Sequence, residues 1–296
     1  MSDDKKQTSR RDFLKLALAG TVGLAGATTM GAFKPGPARA EGEPGHEGKI
    51  LQVWSCGGLA EGMIPAHAAY EESRGLTISY TGAFAAVLGQ SLMNNGRTEV
   101  FCGRVLDLAK KLRGAGRMVS FKPFCYTSYV IVTPKGNPKK IASLEDLAVP
   151  GTKVAMAPGA SPPGGAAVMG ILKLAGLTEK VMKNVPDPGT CVQTTLQSVV
   201  EKKADAMIVE LRLTRMERFG PYLDIVPIDE KFFPPGPLTF TIGLMEEAKD
   251  VALAEDYIKW MTDYNGGQKY MEEAGFIPAD SAEGRRLTEK LGVRDV

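Results

Sequence analysis

The sequence predicts an α/β protein of two lobes, each a mostly parallel sheet flanked by helices, with two crossover strands between them. Short apolar strands alternate with helical stretches along most of the chain, an order typical of parallel sheets. A long apolar strand, Phe121–Thr133, ends in PKGNP, and a second, Leu238–Leu244, follows PPGP. These two strands are predicted to carry the chain between the lobes, giving residues 49–128 with 238–296 as one lobe and 129–237 as the other.

Residues 1–40 are predicted to be an export signal and are excluded from the fold. Arg10-Arg11 precede an apolar, Gly- and Ala-rich run, Leu16–Phe33, and Ala38-Arg39-Ala40 match a small-x-small cleavage pattern. The pattern indicates a twin-arginine signal cleaved after Ala40, so the mature chain is expected in the periplasm. An ordinary secretory signal or a retained anchor is the alternative.

The remaining chain has the composition of a soluble, slightly acidic protein. The signal carries seven Lys/Arg and three Asp/Glu, which leaves 29 basic and 31 acidic residues and a net charge near −2. No basic patch with interleaved aromatic residues is present, so nucleic acid is not expected as a partner. Residues 41–48 are rich in Gly and Glu and are predicted to be a flexible tether, with His46 as a solvated residue.

The first lobe is predicted from apolar runs that Gly turns separate. Leu51, Val53 and Trp54 indicate a buried strand, and Gly57-Gly58 end it in a tight turn that opens a helix. The same order then recurs along the chain. The predicted elements are strand Leu51–Cys56, helix Leu59–Ser73, strand Leu76–Tyr80, helix Ala83–Asn94, strand Glu99–Cys102 and helix Arg104–Leu112.

The second lobe repeats this pattern, and the chain then returns to the first lobe. The predicted elements are helix Ser143–Leu147, strand Lys153–Met156, helix Ala166–Ala175, strand Asn184–Gly189, helix Val192–Lys203, strands Ala206–Val209 and Leu223–Pro227, and the final helices Lys249–Tyr264 and Gln268–Ala274. Two lobes joined by two crossings would leave a cleft between them. Ligands of open α/β sheets bind at the carboxyl ends of the strands, which border such a cleft.

Several segments, taken in order, resemble a known family. They are GGL before a helix, YVIVTPKGNP at the crossover, APG…PPGG before a helix, VQTTLQSVVEKKADAMIV and NGGQKYMEEAGFIP. Over residues 49 to 278 the chain resembles the periplasmic molybdate-binding proteins, which belong to the type II solute-binding proteins of ABC transporters. The resemblance implies the two-lobed type II periplasmic binding protein fold, a small inorganic ligand, an inner-membrane ABC permease as partner, a monomer, and no catalysis.

The resemblance also places ligand contacts on particular residues of this chain. The family's first serine falls on Gly58, beside Gly57, and its serine-rich loop falls on residues 82–86, which carry no hydroxyl. A backbone N–H donor falls on Val192, and the family's tyrosine falls on Glu210, a residue expected to repel an anion. The candidate ligand-binding residues are Gly57, Gly58, Arg104, Val192 and Glu210, with Ser161 and Tyr126 as further neighbours of the cleft.

Four cysteines are predicted to border the same cleft. Cys56, Cys102 and Cys191 fall where a strand ends or a helix starts, and Cys125 begins the first crossover strand. Thiolates at such places suit a 4Fe-4S cluster or a soft metal ion such as zinc or copper. A cluster assembled in the cytoplasm would also explain export of the folded protein. The sequence therefore predicts a four-cysteine metal site between the lobes.

Other interpretations of the cysteines stay open. The protein is alternatively a molybdate- or tungstate-type oxyanion carrier with two structural disulfides, natural in an oxidising compartment. The thiols could also be inert, or could capture a thiophilic solute such as a cuprous or arsenite species. A second alternative is an exported redox or metal-handling protein on the same fold.

Overall fold

The computed structural model describes residues 46–294, so the predicted signal and residues 41–45 of the tether lie outside the described part. Residues 46–294 fall in one compact unit. The described end of the tether packs against the fold: the Gly48 N–H donates to the Gly75 carbonyl at 2.9 Å, and His46 is buried. The prediction of a solvated His46 is therefore wrong.

Strands and helices alternate through most of the described chain. The strands are β1 (Ile50–Cys56), β2 (Thr77–Ala83), β3 (Val100–Arg104), β4 (Met118–Tyr126), β5 (Tyr129–Pro134), β6 (Val154–Ala155), β7 (Ala206–Glu210), β8 (Leu223–Pro227), β9 (Thr239–Met245) and β10 (Ile277–Pro278). The helices are α1 (Ala60–Arg74), α2 (Ala85–Met93), α3 (Leu106–Gly114), α4 (Gly164–Leu174), α5 (Thr178–Met182), α6 (Val192–Val200), α7 (Val251–Met261), α8 (Lys269–Glu273) and α9 (Ala282–Leu291).

The strands form two sheets, which define what we call lobe one and lobe two. Lobe one contains six strands in the order β10-β4-β9-β3-β1-β2, and lobe two contains four in the order β6-β7-β5-β8. The predicted fold class, α/β with two lobes, is confirmed. The sheets are mixed, however, and not mostly parallel. Within residues 46–294, three strand pairings are parallel and five are antiparallel.

The antiparallel pairings arise because the chain leaves lobe one and comes back. A parallel neighbour needs a crossover connection, usually a helix, and β1, β2 and β3 are joined in that way. β9 instead enters from lobe two, between β3 and β4, and runs opposite to both. The return strand was predicted correctly in position, but its direction was not inferred.

The first crossing consists of two strands instead of the single predicted strand Phe121–Thr133. β4 ends at Tyr126 in lobe one and β5 begins at Tyr129 in lobe two. Between them, the Thr127 N–H donates to the Leu238 carbonyl at 2.9 Å, which joins this crossing to the returning one. The two chain crossings therefore lie side by side where the lobes meet.

The predicted strand Asn184–Gly189 is wrong, because this segment is irregular. Pro186 and Pro188 lack the N–H groups that a sheet ladder needs. The Asn184 side chain instead donates to the carbonyls of Leu147 and Val149, both at 2.8 Å. The segment is thus held by side-chain hydrogen bonds and leads directly to α6.

Each lobe has its own apolar core. In lobe one, α1 packs Met63, Ala66 and Tyr70 against the sheet and against α7 and α8. α1 ends at Arg74, and the Gly75 N–H still donates to the Glu71 carbonyl at 2.8 Å, while its left-handed φ of 69° turns the chain out of the helix. None of the helices within residues 46–294 has the length and apolar character needed to cross a membrane.

Candidate functional site

A cavity of about 660 Å³ lies between the lobes, with walls from both. Lobe one contributes the turn after β1 and the start of α2, and lobe two contributes the segments before α4 and α6. The five residues predicted to bind ligand all line this cavity. They are Gly57, Gly58, Arg104, Val192 and Glu210.

Four helical starts meet at this cavity. A 3₁₀ turn, Gly57–Leu59, leads into α1, while α2 follows Phe84, α4 follows Pro163 and α6 follows Cys191. In residues 46–294 no side-chain oxygen caps these starts, although the sulfur of Cys56 accepts from the Gly58 N–H and that of Cys191 from the N–H groups of Thr194 and Gln193. Because the first N–H groups of a helix lack partners within the helix, four sets of donors and partial positive charges border one space.

A buried ion pair connects the lobes at the cavity wall. Arg104, at the end of β3, donates from Nη2 to Oε1 of Glu210, at the end of β7, at 2.5 Å. Both side chains are almost fully buried. Arg104 also donates to the Tyr129 hydroxyl at 3.1 Å, and that hydroxyl donates to Glu210 at 3.3 Å. Glu210 thus has partners from both lobes.

A second arginine extends this network. Arg212 donates from Nε to Oε2 of Glu210 at 2.6 Å and from Nη1 to Glu61 of α1 at 2.9 Å. The network therefore spans lobe two, where Arg212 and Glu210 lie, and lobe one, where Arg104 and Glu61 lie. Two arginines and two glutamates balance their formal charges within it.

The network keeps Glu210 ionised despite its burial. Burial raises the pKa of Glu210, but the guanidinium groups of Arg104 and Arg212 outweigh it and hold the pKa at about 2. The expectation that Glu210 repels an anion is therefore wrong, because its charge is neutralised by two direct partners. Sequence reasoning missed this because Arg104 lies 106 positions earlier in the chain.

A strained residue follows Arg104. Val105 has a φ of 73°, unusual for a β-branched side chain, and its N–H donates to the Thr239 carbonyl at 2.9 Å. Such conformations persist where the surrounding structure fixes them, and they cluster at functional sites. Val105 thus holds the end of β3, and with it Arg104, at the lobe boundary.

The four cysteines are divided between the cavity and the core. Cys56 and Cys191 line the cavity from opposite lobes, whereas Cys102 and Cys125 are completely buried in the core of lobe one. Burial raises the pKa of Cys125, and the nearby Cys102 and Cys56 raise it further. The three thiols of lobe one are therefore close enough to influence one another electrostatically, and Cys191 shares the cavity only with Cys56 among the described cysteines.

The two disulfides weighed from the sequence are not formed, and all four cysteines are free. Cys102 on β3 and Cys125 on β4 are separated by β9, a distance of two strand spacings or about 9–10 Å. A disulfide needs Cα atoms within about 7 Å. In residues 46–294, no three His, Cys, Asp or Glu side chains are grouped so that they could hold a metal ion. The four-cysteine metal site stays a prediction that requires another arrangement of the thiols.

The two cavity thiols differ in their environment. Burial raises the pKa of Cys56, although the Gly58 N–H and Arg104 counteract this. The N–H and hydroxyl of Thr194 lower the pKa of Cys191, which is exposed before the first turn of α6. Cys191 is therefore the more reactive thiol of the pair.

Other predicted and unpredicted residues complete the site. Ser161 lines the cavity as expected, but Tyr126 does not: it is buried, and its hydroxyl bonds Thr288 at 2.6 Å. Sequence reasoning missed Glu61, Arg212 and Phe84, all of which line the cavity. The signal that could have revealed Arg212 is its position two residues after a carboxylate that ends a buried strand.

Solved structures of periplasmic binding proteins share this fold. The substrate-binding domain assigned to a molybdenum ABC transporter from Clostridium difficile aligns with a TM-score of 0.67 and 19% identity, covering 77% of this chain and 98% of that one. The periplasmic molybdate-binding protein of Azotobacter vinelandii gives 0.61 and 16%, with 77% and 98% covered. The sulfate-binding protein SubI of Mycobacterium tuberculosis gives 0.57 and 18%, with 83% and 92% covered.

The match in sequence is to a family and not to an individual protein. No curated protein matches the chain in sequence. The family model described as bacterial extracellular solute-binding protein matches residues 51–277, which include both sheets and the cavity between them. The chain therefore belongs to the bacterial extracellular solute-binding protein family.

Proposed function

We propose that the protein captures a small anion between its lobes and delivers it to the permease of an ABC-type importer. The observation that carries this proposal is the meeting of four helical starts, two from each lobe, at one cavity. Uncapped N–H groups and helix dipoles make such a place suitable for negative charge. Both lobes supply donors, so a bound anion would also favour their closed arrangement.

The ion-pair network supports an anion and argues against a free cation as ligand. Glu210 and Glu61 are the acidic side chains of the cavity, and each already pairs with an arginine. A cation would have to share these carboxylates with Arg104 or Arg212, although Oε2 of Glu61 has no hydrogen-bond partner in the described chain. The starts of α2 and α4, by contrast, offer N–H donors that no capping side chain occupies in residues 46–294.

The proposal covers both inorganic and organic anions. The structural relatives bear titles that name molybdate, sulfate and L-phospholactate as ligands, so one scaffold serves different anions. A molybdate- or tungstate-type oxyanion is the inorganic case for this chain. It would be held by the N–H groups at Gly58 and Val192, since residues 82–86 carry no hydroxyl.

The test is a binding panel on the purified mature chain. Isothermal titration would compare molybdate, sulfate, phosphate, acetate, butyrate and hexanoate with the chlorides of magnesium, zinc and copper. We expect saturable one-site binding by at least one anion and no comparable binding by the cations. Binding of a cation alone, or of nothing in this panel, would overturn the proposal.

A four-thiolate site for an iron–sulfur cluster or soft metal ion is our second candidate. The observation that favours it is the placement of Cys56 and Cys191 on opposite walls of one cavity, with Cys102 and Cys125 close to Cys56. Movement of the lobes would have to bring Cys191 to the other three. Such a site would make the protein a metal-handling or redox member of its family.

Metal content decides this second candidate. The protein would be purified without oxygen, and its iron, sulfide, zinc and copper would be measured together with its visible absorption. A stoichiometric metal that is lost in Cys191→Ser supports the candidate. A colourless, metal-free protein with four titratable thiols contradicts it, whatever the outcome of the anion panel.

We further propose that the chain reaches the periplasm through the twin-arginine machinery and functions there as a monomer. The supporting residues are Arg10 and Arg11, followed by an apolar run and a cleavage pattern that ends at Ala40. Changing both arginines to lysine should leave uncut protein in the cytoplasm. Normal export of that variant would contradict the twin-arginine assignment.

A further inference from the structure

We infer that the cleft is built for an organic anion with an apolar body, such as a medium-chain carboxylate, and not for a bare tetrahedral oxyanion. The inference rests on the proposed function, because it names the class of anion that the same site would take. Three independent features of the cavity lead to it: its size, its charge balance and the side chain at its opening.

The cavity is too large for a tetrahedral oxyanion alone. An ion of five heavy atoms fills at most about 150 Å³ if each atom takes the volume share of one water molecule, about 30 Å³. The cavity measures about 660 Å³. Sites of roughly 300–1,000 Å³ are typical of organic ligands that are mostly enclosed on binding. An oxyanion would leave most of the space to water.

The charge balance favours a single negative charge. Arg104 and Arg212 are matched by Glu210 and Glu61 within one network, so these side chains offer no net positive charge. Attraction then comes from the helix starts, where each dipole contributes about half a charge at most. The four dipoles could together balance up to about two charges, so the preference for a monoanionic head group rests on desolvation, which costs far more for a dianion.

An apolar side chain at the opening of the cavity, that of Phe84, is largely exposed to solvent. Phe84 immediately precedes α2, lines the cavity and is 63% exposed. Val168 and Val192 line the opposite lobe, beside Pro162 and Pro163. The N–H donors and these apolar groups therefore border the same space, an arrangement that matches a polar head joined to an apolar body.

The test is a series of carboxylates that share one head group and differ in the length of the apolar chain. Titration calorimetry would measure the affinities of acetate, butyrate and hexanoate, with sulfate and molybdate as bare oxyanions. We expect affinity to rise about fourfold for each methylene group that becomes buried. Hexanoate should therefore bind more tightly than either oxyanion.

Two variants locate the apolar contact. Phe84→Ala should weaken the rise of affinity with chain length, because it removes the apolar contact and adds no hydroxyl that could cap the N–H groups of α2. Val87→Ala is the matched control: Val87 lies within α2, is 58% exposed and is outside the cavity lining, so affinity should rise with chain length as in wild type.

The outcomes separate this inference from the proposed function. The inference would be overturned, leaving an anion-binding protein, by tighter binding of sulfate or molybdate than of hexanoate, by an affinity that does not rise with chain length, or by an unchanged rise in Phe84→Ala. Failure of every anion to bind would overturn the proposed function, and the inference with it.

Discussion

Arg104 and Glu210 form a buried ion pair whose partners belong to different lobes, with Nη2 and Oε1 separated by 2.5 Å. Each residue ends a strand, Arg104 at β3 and Glu210 at β7. The pair lies in the wall of the cavity. A change in the relative position of the two lobes would therefore change the charge next to a bound ligand. Five predictions follow from this relationship and from the helix starts around it.

The first prediction concerns the stability that Glu210 supplies. Glu210→Gln removes the carboxylate that two buried guanidinium groups share, so we expect the free energy of unfolding to fall by about 3–5 kcal/mol. Urea denaturation of wild type and variant would measure this difference in the free energy of unfolding. The matched control is Glu201→Gln, since the exposed Glu201 pairs with Gln197 and Lys203 at the surface, and its loss should leave the free energy of unfolding close to that of wild type. Equal effects of the two substitutions would contradict the account.

The second prediction concerns the stability of the protein at acidic pH. The pKa of Glu210 is about 2 in the folded protein and lies below its ordinary value of 4.5. Its contribution is therefore fully present above about pH 4.5 and is lost as the pH falls toward 2. The difference in unfolding free energy between wild type and Glu210→Gln should shrink over this interval. A constant difference from pH 5 to pH 2.5 would show that Glu210 does not act through its charge.

The third prediction concerns two adjacent glycines that begin α4. A Cβ on Gly165 would lie 2.9 Å from the Ala157 carbonyl oxygen and closer still to that of Pro158. Gly165→Ala should therefore destabilise the protein by about 1–3 kcal/mol and weaken anion binding, because the start of α4 must shift. At Gly164 the nearest atom is a Val192 methyl at 3.9 Å, so Gly164→Ala should fold normally. Thermal denaturation of both variants would check this contrast, and similar melting temperatures would refute it.

The fourth prediction concerns thiol reactivity. Cys191 is exposed and Thr194 lowers its pKa, whereas burial raises the pKa of Cys102 and of Cys125. Iodoacetamide at pH 7 should therefore label Cys191 first, and the two core thiols only after unfolding. Peptide mass spectrometry would follow the time course, with Cys191→Ser as the control that loses the fast phase. Fast labelling of Cys102 in the native protein would be incompatible with its burial.

The sequence predicted most of the helices and strands of the fold, and part of the candidate site. Periodicity and Gly turns located α1, α6 and β7 within a residue or two at most boundaries, because these elements are determined locally. The direction of β9 and the break between Tyr126 and Tyr129 depend on where the returning chain pairs, which no local pattern encodes.

The candidate site, too, was predicted only where local sequence or the family resemblance was sufficient. Gly58 and Val192 were named because the resemblance places the family's first serine and a backbone N–H donor on them, and the structure puts both in the cavity lining. The pairing of Glu210 with Arg104 was missed because it joins residues 106 positions apart. The disulfide alternative rested on an even cysteine count, but all four cysteines are free, and strand order separates one possible pair, Cys102 and Cys125.

The fifth prediction tests most directly whether backbone N–H groups at the cavity bind an anion. Val192 is the first residue of α6, a position that tolerates proline, and Cys191 before it has φ −134° and ψ 122°, which also suits a following proline. Val192→Pro removes one N–H donor while the helix should persist, and Val192→Ala shortens the side chain but keeps the donor.

Calorimetry on these two variants, with the anion that wild type binds most tightly, gives the decisive comparison. We expect Val192→Pro to weaken binding at least about tenfold, as loss of one hydrogen bond to a charged group implies. Val192→Ala should stay within a few-fold of wild type. Equal affinities in the two variants would contradict an anion held at the start of α6.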